Sequence, residues 1–198
     1  MPRLLTIGIS RLRFFIPILL ITITLIVGGV AYAVTLSISS VGEMEDDGTK
    51  ELNGPRYVAI TTIGGSTYAV VASEVDDGIE IIDISDPANP TSVGRMEDDG
   101  TKELNGAGGV AITTIGSSTY VVVPANIDNG IEIIDISTPS NPQSVGRMAD
   151  DDTKELNSAR DVAITTIDGS TYVVVAGQGD NGIEIIDIST PSNPQSVG

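Results

Sequence analysis

The sequence predicts an all-β protein of the β-propeller type, made of three four-stranded blades. The first observation is a repeat: the stretch DDGIEIIDISDPANPTSVG at 76–94 returns as DNGIEIIDISTPSNPQSVG at 128–146 and 180–198. The second is that each copy holds four short runs of strand-forming residues, with turn-forming residues between them. Four antiparallel strands per repeat, with no intervening helix, are typical of a propeller blade. The copies are 52 residues long and cover 43–94, 95–146 and 147–198.

The four runs of each copy have the length and composition of strands. They are rich in Val, Ile, Thr and Tyr, which favour the extended conformation. In the first copy the runs are 56–63, 67–72, 79–85 and 91–96. We therefore expect an antiparallel meander in every copy.

Turn-forming residues separate the predicted strands. A dipeptide suited to a tight hairpin with positive φ joins the first two runs of each copy. These dipeptides are Gly-Gly at 64–65, Gly-Ser at 116–117 and Asp-Gly at 168–169. The third run ends in Ser-x-Pro-x-Asn-Pro, where two prolines remove backbone donors and hold the preceding residues extended. This segment predicts a rigid corner.

Apolar residues lie on both faces of the third predicted strand. Along 79–85, one face carries Ile79 and Ile81 while the other carries Ile82 and Ile84. A sheet with one face in water would alternate apolar and polar residues instead. We therefore expect both faces of a blade to be covered, as they are when neighbouring blades stack.

The third run and the run before it carry a family resemblance. The pattern Gly-Ile-Glu-Ile-Ile-Asp-Ile-Ser-x-Pro-x-Asn-Pro, preceded by Thr-Tyr-x-Val-Val, resembles the LVIVD repeat over about 43–198. That family occurs in cell-surface proteins of bacteria and archaea, and its repeats are taken to build β-propellers. The resemblance implies a surface-exposed module with no general reaction, and no catalytic residue is carried over from it.

Three blades are fewer than the roughly four to eight with which propellers close. The Ser-Val-Gly that ends each copy also occurs at 40–42, so 34–42 is predicted to be an orphan outer strand. That strand would pair with the third blade if the ends of the chain meet. Three arrangements remain open: a piece of a longer protein, which is favoured, an open arc, or a ring completed by two or more copies.

The amino-terminal segment differs from everything that follows. Three arginines and no acidic residue precede an almost entirely apolar stretch at 14–27. The pattern predicts a signal peptide over 1–33. The alternative is an uncleaved anchor, because 14–34 would span a bilayer as a hydrophobic helix. Both place the repeats outside the cell, secreted or at its surface, because the arginines stay on the cytoplasmic side. Membrane contact is expected only through this segment.

Composition limits the chemistry of the chain. Its 10 basic and 27 acidic residues give a formal net charge of −17, which repels nucleic acids. It contains no His, Cys or Trp, so the usual general base, the Ser-His and Cys-His pairs and the common zinc ligands are missing. Catalysis by two carboxylates needs a pair in unlike environments, whereas three near-copies repeat the same acids. We therefore expect that the chain is not an enzyme.

The export pattern, the repeats and the missing catalytic residue types together predict a non-enzymatic scaffold, adhesion or protein-interaction module. Its partner is expected to be a protein or another cell-surface ligand, and an oligomer or further repeats would close the ring. The alternative functions are a calcium-dependent binding module and an accessory domain of a larger surface enzyme.

The most suggestive polar stretch is EDDGTKELNG at 45–54, which returns at 97–106 and, as ADDDTKELNS, at 149–158. Oxygen ligands of this kind bind calcium, although the spacing is not that of an EF-hand loop. The alternative is a solvated connector between blades, and no other cofactor is predicted. The calcium candidates are Asp47, Glu51, Asp99, Glu103, Asp151 and Glu155.

Three further sets of repeated positions are expected to have structural roles. An aspartate inside each third strand is expected to accept backbone N–H groups from its own corner rather than to line a channel. The repeated tyrosines are expected to pack between blades rather than to stack on sugars. The arginines are expected at the surface, since Gly108 takes their place in the second copy. The residues are Asp83, Asp135 and Asp187; Tyr68, Tyr120 and Tyr172; and Arg56 and Arg160.

Overall fold

The structure, a computed structural model, describes residues 19–27, 30–38, 40–151 and 153–197. The chain divides into two compact units, Met1–Gly42 and Glu43–Gly198. Every secondary-structure element assigned in the described residues is a β-strand. Within these residues, no helix has the length and apolar content needed to cross a bilayer.

A β-hairpin replaces the predicted helix in the first unit. Strand β1 (Leu19–Val27) pairs antiparallel with β2 (Val30–Ile38). The helix was expected because hydropathy measures apolar content alone. Many of these apolar residues are Ile and Val, which together with Thr are stiff at χ1 and favour strands. The remainder of the predicted signal peptide or anchor, at 1–18 and 28–29, lies outside the described residues.

The predicted orphan strand at 34–42 is only partly a strand. Residues 34–38 belong to β2 and pair with β1, whereas 40–42 belong to no strand.

The second unit consists of three four-stranded antiparallel sheets, as predicted. Each is a meander in which the strands lie in sequence order. The first blade contains β3 (Pro55–Ile63), β4 (Ser66–Ser73), β5 (Gly78–Asp83) and β6 (Thr91–Glu97). The second contains β7 (Ala111–Ile115), β8 (Ser118–Ala125), β9 (Gly130–Asp135) and β10 (Gln143–Ala149). The third contains β11 (Ala159–Ile167), β12 (Ser170–Gly177), β13 (Gly182–Asp187) and β14 (Gln195–Ser196).

The first hairpin of each blade follows the predicted turn chemistry. In the first blade Gly64 and Gly65 both have positive φ, 60° and 92°, as a type I′ turn requires. Asp168 and Gly169 do the same in the third blade, with 52° and 87°. In the second blade positive φ is found at Gly116, the first central position, which is the pattern of a type II′ turn.

Both faces of the second blade are buried, as the parity of its apolar residues predicts. Successive residues of a strand point to opposite faces. Val121 and Val123 of β8 pack in a core shared with the first blade, whereas Val122 packs in a core shared with the third. The two interblade cores therefore hold the three blades together.

The blades lie side by side in an open arc. Their first strands, β3, β7 and β11, contact one another in turn and form the inner edge of the arc. The third strand of each sheet is separated from this edge by the second. The connectors at 97–106 and 149–158 run from the outer strand of one blade to the inner strand of the next, and the connector at 45–54 leads into β3.

Candidate functional site

The acidic connectors are closed by short-range contacts of their own aspartates. The carboxylate of Asp47 accepts hydrogen bonds from the backbone N–H of Thr49 (3.1 Å) and from its hydroxyl (2.6 Å). The ammonium of Lys50 lies 2.5 Å from the other carboxylate oxygen. Asp99 with Lys102 and Asp151 with Lys154 repeat this arrangement. The first calcium candidate of each connector is therefore already paired with a cation.

These contacts lower the pKa of the aspartates. A hydrogen bond from Lys50, followed in size by one from Thr49, holds the pKa of Asp47 well below its ordinary value. The equivalent lysines lower the pKa of Asp99 and of Asp151 to about 2. Among the described residues, no group of three or more acidic side chains is arranged to hold a metal ion.

A buried glutamate in the third strand of each blade binds the connector to the sheet. Glu80 is fully buried in β5, and its Oε2 accepts the backbone N–H of Glu51 at 2.9 Å. Its Oε1 accepts the hydroxyl of Ser92 on β6. The second and third blades repeat both contacts at the same positions. The equivalent glutamates are Glu132 and Glu184. Each carboxylate thus joins a connector, a central strand and an outer strand.

The second calcium candidate of each connector differs in burial between blades. Glu51 is buried, Glu103 is partly buried and Glu155 is exposed. Burial, with smaller contributions from the charges of Glu97 and Asp76, raises the pKa of Glu51 to about 7. Burial also raises the pKa of Glu103. The structure thus places Glu51 and Glu103 beside other carboxylates, with the Nε of Arg95 3.7 Å from Glu51.

Burial also changes the pKa of Glu132, the buried glutamate of the second blade. It raises the pKa of Glu132, against the opposing effect of hydrogen bonds from Ser144 and from the backbone of Glu103. A buried carboxylate is costly unless its oxygens are hydrogen-bonded. Both oxygens of Glu132 accept such bonds, which indicates a structural role.

The aspartates at the ends of the third strands fix their own corners, as predicted. Asp83 accepts the backbone N–H of Ser85 at 2.8 Å. Asp135 and Asp187 do the same with Ser137 and Ser189, also at 2.8 Å. These hydrogen bonds lower the pKa of Asp83 and Asp187, with the serine side chain as the largest cause. Because this strand is not at the inner edge of the arc, the aspartates do not form a ring lining a channel.

Both arginines and two of the three repeated tyrosines lie where the sequence places them, whereas Tyr172 is not among the residues packed against either interblade core. Tyr68 and Tyr120 pack against the two interblade cores. Arg56 and Arg160 are exposed, and Arg56 forms an ion pair with Glu74. Gly108 is required at its place because a Cβ there would lie 2.7 Å from the carbonyl oxygen of Arg160. An open depression beside the Arg56–Glu74 pair is lined by Gly54, Pro55, Arg56, Tyr57, Glu74 and Val75.

Two contacts recur at the junctions between blades: a hydrogen bond and a close approach of a corner to a glycine. The side chain at the second hairpin of one blade accepts a backbone N–H from the connector that enters the next. Gly106 donates to Asp77 at 2.7 Å, and Ser158 donates to Asn129 at 2.8 Å. The corner of each following blade lies against a glycine of the preceding outer strand. A Cβ on Gly94 would lie only 2.0 Å from the carbonyl oxygen of Pro139.

The buried glutamates and the junction residues were missed as functional positions by sequence reasoning. The signal for the glutamates is a carboxylate between isoleucines in Gly-Ile-Glu-Ile-Ile-Asp, present in every copy. A charge inside an apolar strand that recurs every 52 residues requires a partner in the fold. For Asp77 and Asn129 the only signal is that they lie in a hairpin turn, where both have positive φ. A turn sequence does not reveal which N–H of the next blade donates to these side chains.

Several solved structures share the fold of this chain at low sequence identity. A protein from Lactobacillus plantarum is 14% identical with a TM-score of 0.56, over 89% of this chain and 48% of its own. The periplasmic gluconolactonase of Pseudomonas aeruginosa is 14% identical with a TM-score of 0.55, over 74% of this chain and 39% of its own. An exo-β-1,3-galactanase from Phanerochaete chrysosporium is 12% identical with a TM-score of 0.55, over 77% of this chain and 37% of its own. This chain spans less than half the length of each, and the likeness shows the fold alone.

The family comparison covers all three blades. Comparison with the curated proteins finds no match. The model described as the LVIVD repeat matches residues 65–98, 115–150 and 158–198, which is more than half of the chain. Each match includes the second and third strands with the corner that follows them, the segments in which the buried glutamate and the corner aspartate lie. The chain therefore belongs to the LVIVD repeat family.

Proposed function

We propose that this chain is a non-enzymatic repeat scaffold that is exported and presents its blades for binding to a protein or another cell-surface ligand. The observation that carries the proposal is the use of the repeated carboxylates. The aspartates of the connectors pair with lysines, the aspartates of the corners hold serine N–H groups, and the buried glutamates bind connectors to sheets. These three sets of repeated acids thus have structural partners.

The solved structures that share the fold include a lactonase and a galactanase. The alternative to be tested is therefore that this chain is an enzyme that hydrolyses a lactone or a galactan. Glu51 is the side chain best suited to acid–base work, because its pKa is raised to about 7. Its environment differs from that of Glu155, which is exposed. In support of a scaffold, Glu51 belongs to a connector whose backbone is bound to Glu80, and its side chain lies near Arg95.

An activity assay separates the two functions. The purified chain is expected to hydrolyse neither gluconolactone nor β-1,3-galactan above the rate of the buffer. The matched variant is Glu51→Gln, which removes the ionisable group. Hydrolysis by the wild-type chain that Glu51→Gln abolishes would contradict the scaffold proposal.

The export part of the proposal has its own test. The arginines before the apolar segment support an extracellular location for the body that follows. An epitope tag placed after residue 198 is expected to be removed from intact expressing cells by added protease, or to be found in the medium. A tag that stays protected until the cells are lysed would contradict export.

A further inference from the structure

The second hairpin turns of the first two blades lie at the same end of the strands as the connector between these blades. In the first blade β4 and β5 pair as far as Gly78, which also pairs with Glu97 at the end of β6. The turn at 74–77 and the connector at 97–106 therefore lie together, whereas the tight first hairpins and the proline corners lie at the opposite end of the strands. We call the surface formed by this connector and the turns at 74–77 and 126–129 the connector face.

Two exposed apolar side chains occupy equivalent positions on the connector face. Val75 is 59% exposed, and Ile127, 52 residues later, is 58% exposed. Ile127 belongs to the second blade, which packs against a neighbour on both sides, so its exposure does not come from a missing neighbour. Gly, Pro, Asn, Asp and Ser dominate turns, and the two described interblade cores include neither side chain. Turn chemistry and blade packing therefore do not account for this apolar pair.

Hydrogen bonds tie together the turns that carry the apolar pair. The Nδ2 of Asn126, the residue before Ile127, donates to the Oε1 of Glu74, the residue before Val75, at 3.1 Å. The same nitrogen donates to the carbonyl oxygen of Gly106 in the connector at 3.0 Å. The side chain of Ile127 lies over this glycine, because a Cβ added there would be 2.9 Å from its Cγ1. Val75 and Ile127, which we call the ridge, are therefore fixed in place within the connector face.

The segments beside the ridge are acidic. Segments 74–77, 97–100 and 126–129 together hold seven acidic residues and no basic one. None of the seven is buried. Two of them form ion pairs with an arginine or a lysine from elsewhere in the chain, which leaves the surface negative. Such a surface attracts basic groups and repels nucleic acids.

We propose that the ridge and the acidic segments beside it bind a basic segment of another protein. An apolar side chain of that segment packs on Val75 and Ile127, and its lysines or arginines pair with the acids around them. An apolar centre within a polar rim is the common anatomy of a protein interface, and complementary charge adds specificity and speeds association. Because hydrogen bonds already fix the ridge, binding does not have to order a loop.

This inference rests on the proposed function, because it names a surface and a kind of partner for the binding scaffold. The two proposals fail in different experiments. Hydrolysis that Glu51→Gln abolishes would contradict the scaffold, whereas a basic peptide that binds without the ridge would contradict the inference and leave the scaffold standing.

The experiment is calorimetric titration of the full chain, in a non-ionic detergent, with the synthetic peptide KKLKLKK. We expect saturable binding. The peptide KKSKSKK keeps the charge without the apolar side chains, and is expected to bind about tenfold more weakly because it buries no aliphatic group on the ridge. The peptide EELELEE keeps the apolar side chains and reverses the charge, and is expected not to bind.

A variant of the ridge locates the binding site. Ile127→Ser is expected to weaken the binding of KKLKLKK about tenfold, and Val75→Ser repeats the test in the first blade. Both side chains are exposed, so circular dichroism is expected to show an unchanged fold. The matched control is Ile167→Ser. Ile167 is 56% exposed and pairs with Ser170 at a first hairpin, at the opposite end of the strands, so this variant is expected to bind the peptide as the wild type does.

Four results would overturn the proposal. The first is that KKLKLKK gives no saturable heat with the wild-type chain. The second is that KKLKLKK and KKSKSKK bind equally well, because charge alone would then explain the binding. The third is that Ile127→Ser and Val75→Ser both bind KKLKLKK as tightly as the wild type. The fourth is that Ile167→Ser weakens binding as much as Ile127→Ser, because the effect would then not belong to the connector face.

Discussion

Glu132 joins three elements that are distant in the sequence. Its carboxylate lies in β9 and accepts hydrogen bonds from the connector before the blade and from β10 after it. Glu132→Ala leaves the N–H of Glu103 without its acceptor and opens a cavity, so we expect a loss of about 2–4 kcal/mol in the free energy of unfolding. Glu132→Gln keeps the shape and one carbonyl acceptor, and is expected to cost about 1 kcal/mol. Urea unfolding measures both.

The control for this prediction is a surface glutamate. Glu97 is exposed at the end of β6, and Glu97→Ala is expected to change the free energy of unfolding by less than about 0.5 kcal/mol. Equal losses for Glu132→Ala and Glu97→Ala would mean that the buried carboxylate does not hold the connector.

Glu51 makes the stability of the chain depend on pH. Its pKa is about 7 in the folded chain against an ordinary value of 4.5. Between these values the folded state keeps a proton that the unfolded state has released, so the free energy of unfolding falls as pH rises through this window. Glu51→Gln removes this titration. The variant is expected to be more stable than the wild type by about 2 kcal/mol at pH 8 and equally stable near pH 4.5.

Thermal unfolding across pH 4.5 to 8 measures this difference. The matched control is Glu155→Gln, in the equivalent but exposed position of the third blade. Its melting temperature is expected to follow that of the wild type across the range. A Glu51→Gln variant that is no more stable than the wild type at pH 8 would show that ionisation of the Glu51 carboxylate does not lower the free energy of unfolding.

Single residues were predictable from the sequence where their partners are local. The role of Asp83 follows from the pattern because the N–H that it binds lies two residues away. Glu80 binds the N–H of Glu51, 29 residues before it, and no local pattern reveals that contact. The same separation hides the bond between Asp77 and Gly106. The acids that hold neighbouring elements together were therefore the ones that the sequence did not indicate.

The rigid corner of each blade meets a glycine of the preceding outer strand. A Cβ on Gly146 would lie 2.0 Å from the carbonyl oxygen of Pro191. Because the two prolines of the corner limit its movement, the blades must separate locally to accept the methyl group. Gly146→Ala is expected to lower the free energy of unfolding by about 2–3 kcal/mol, measured in urea.

Gly116 provides the control, because a methyl group added there strains the backbone without a steric clash. Gly116 has φ +64° at a hairpin tip, and a methyl group added there would have no neighbouring atom within 4 Å. Gly116→Ala is expected to cost only about 1 kcal/mol, from the left-handed backbone alone. If Gly146→Ala cost no more than this, the close approach of the corner would not contribute to the junction.

The strands and hairpins of the blades were predictable because both are local features. Alternation, β-branched residues and dipeptides such as Gly64-Gly65 fix strand and turn within a few residues. The hairpin of β1 and β2 was not predicted because its residues are apolar enough for a membrane helix, and hydropathy does not distinguish the two. Parity predicted two covered faces per blade. Which faces stay open depends on how the blades are arranged, and the sequence of a repeat is the same at both ends of the arc.

The charge of the whole molecule opposes its folding. A formal net charge of −17 makes the compact state repel itself. Salt shortens the range of this repulsion, from roughly 30 Å at 0.01 M to roughly 3 Å at 1 M. Raising sodium chloride between these concentrations is expected to raise the melting temperature by roughly 2–4 °C, which corresponds to about 1 kcal/mol for a chain of this size. A melting temperature that is independent of salt would mean that the acids are neutralised within the fold.

Calcium would stabilise the chain specifically only if it did more than screen charge. Calcium and magnesium chloride at equal concentrations screen equally, but flexible acidic loops favour calcium, which accepts irregular oxygen ligands. Because Asp47, Asp99 and Asp151 already pair with lysines, we expect the two salts to raise the melting temperature by the same amount. Calorimetry is expected to show no saturable heat with calcium. A saturable stabilisation by calcium over magnesium that Asp99→Asn reduces would instead establish the connectors as calcium sites, since a ligand that binds only the folded state stabilises it.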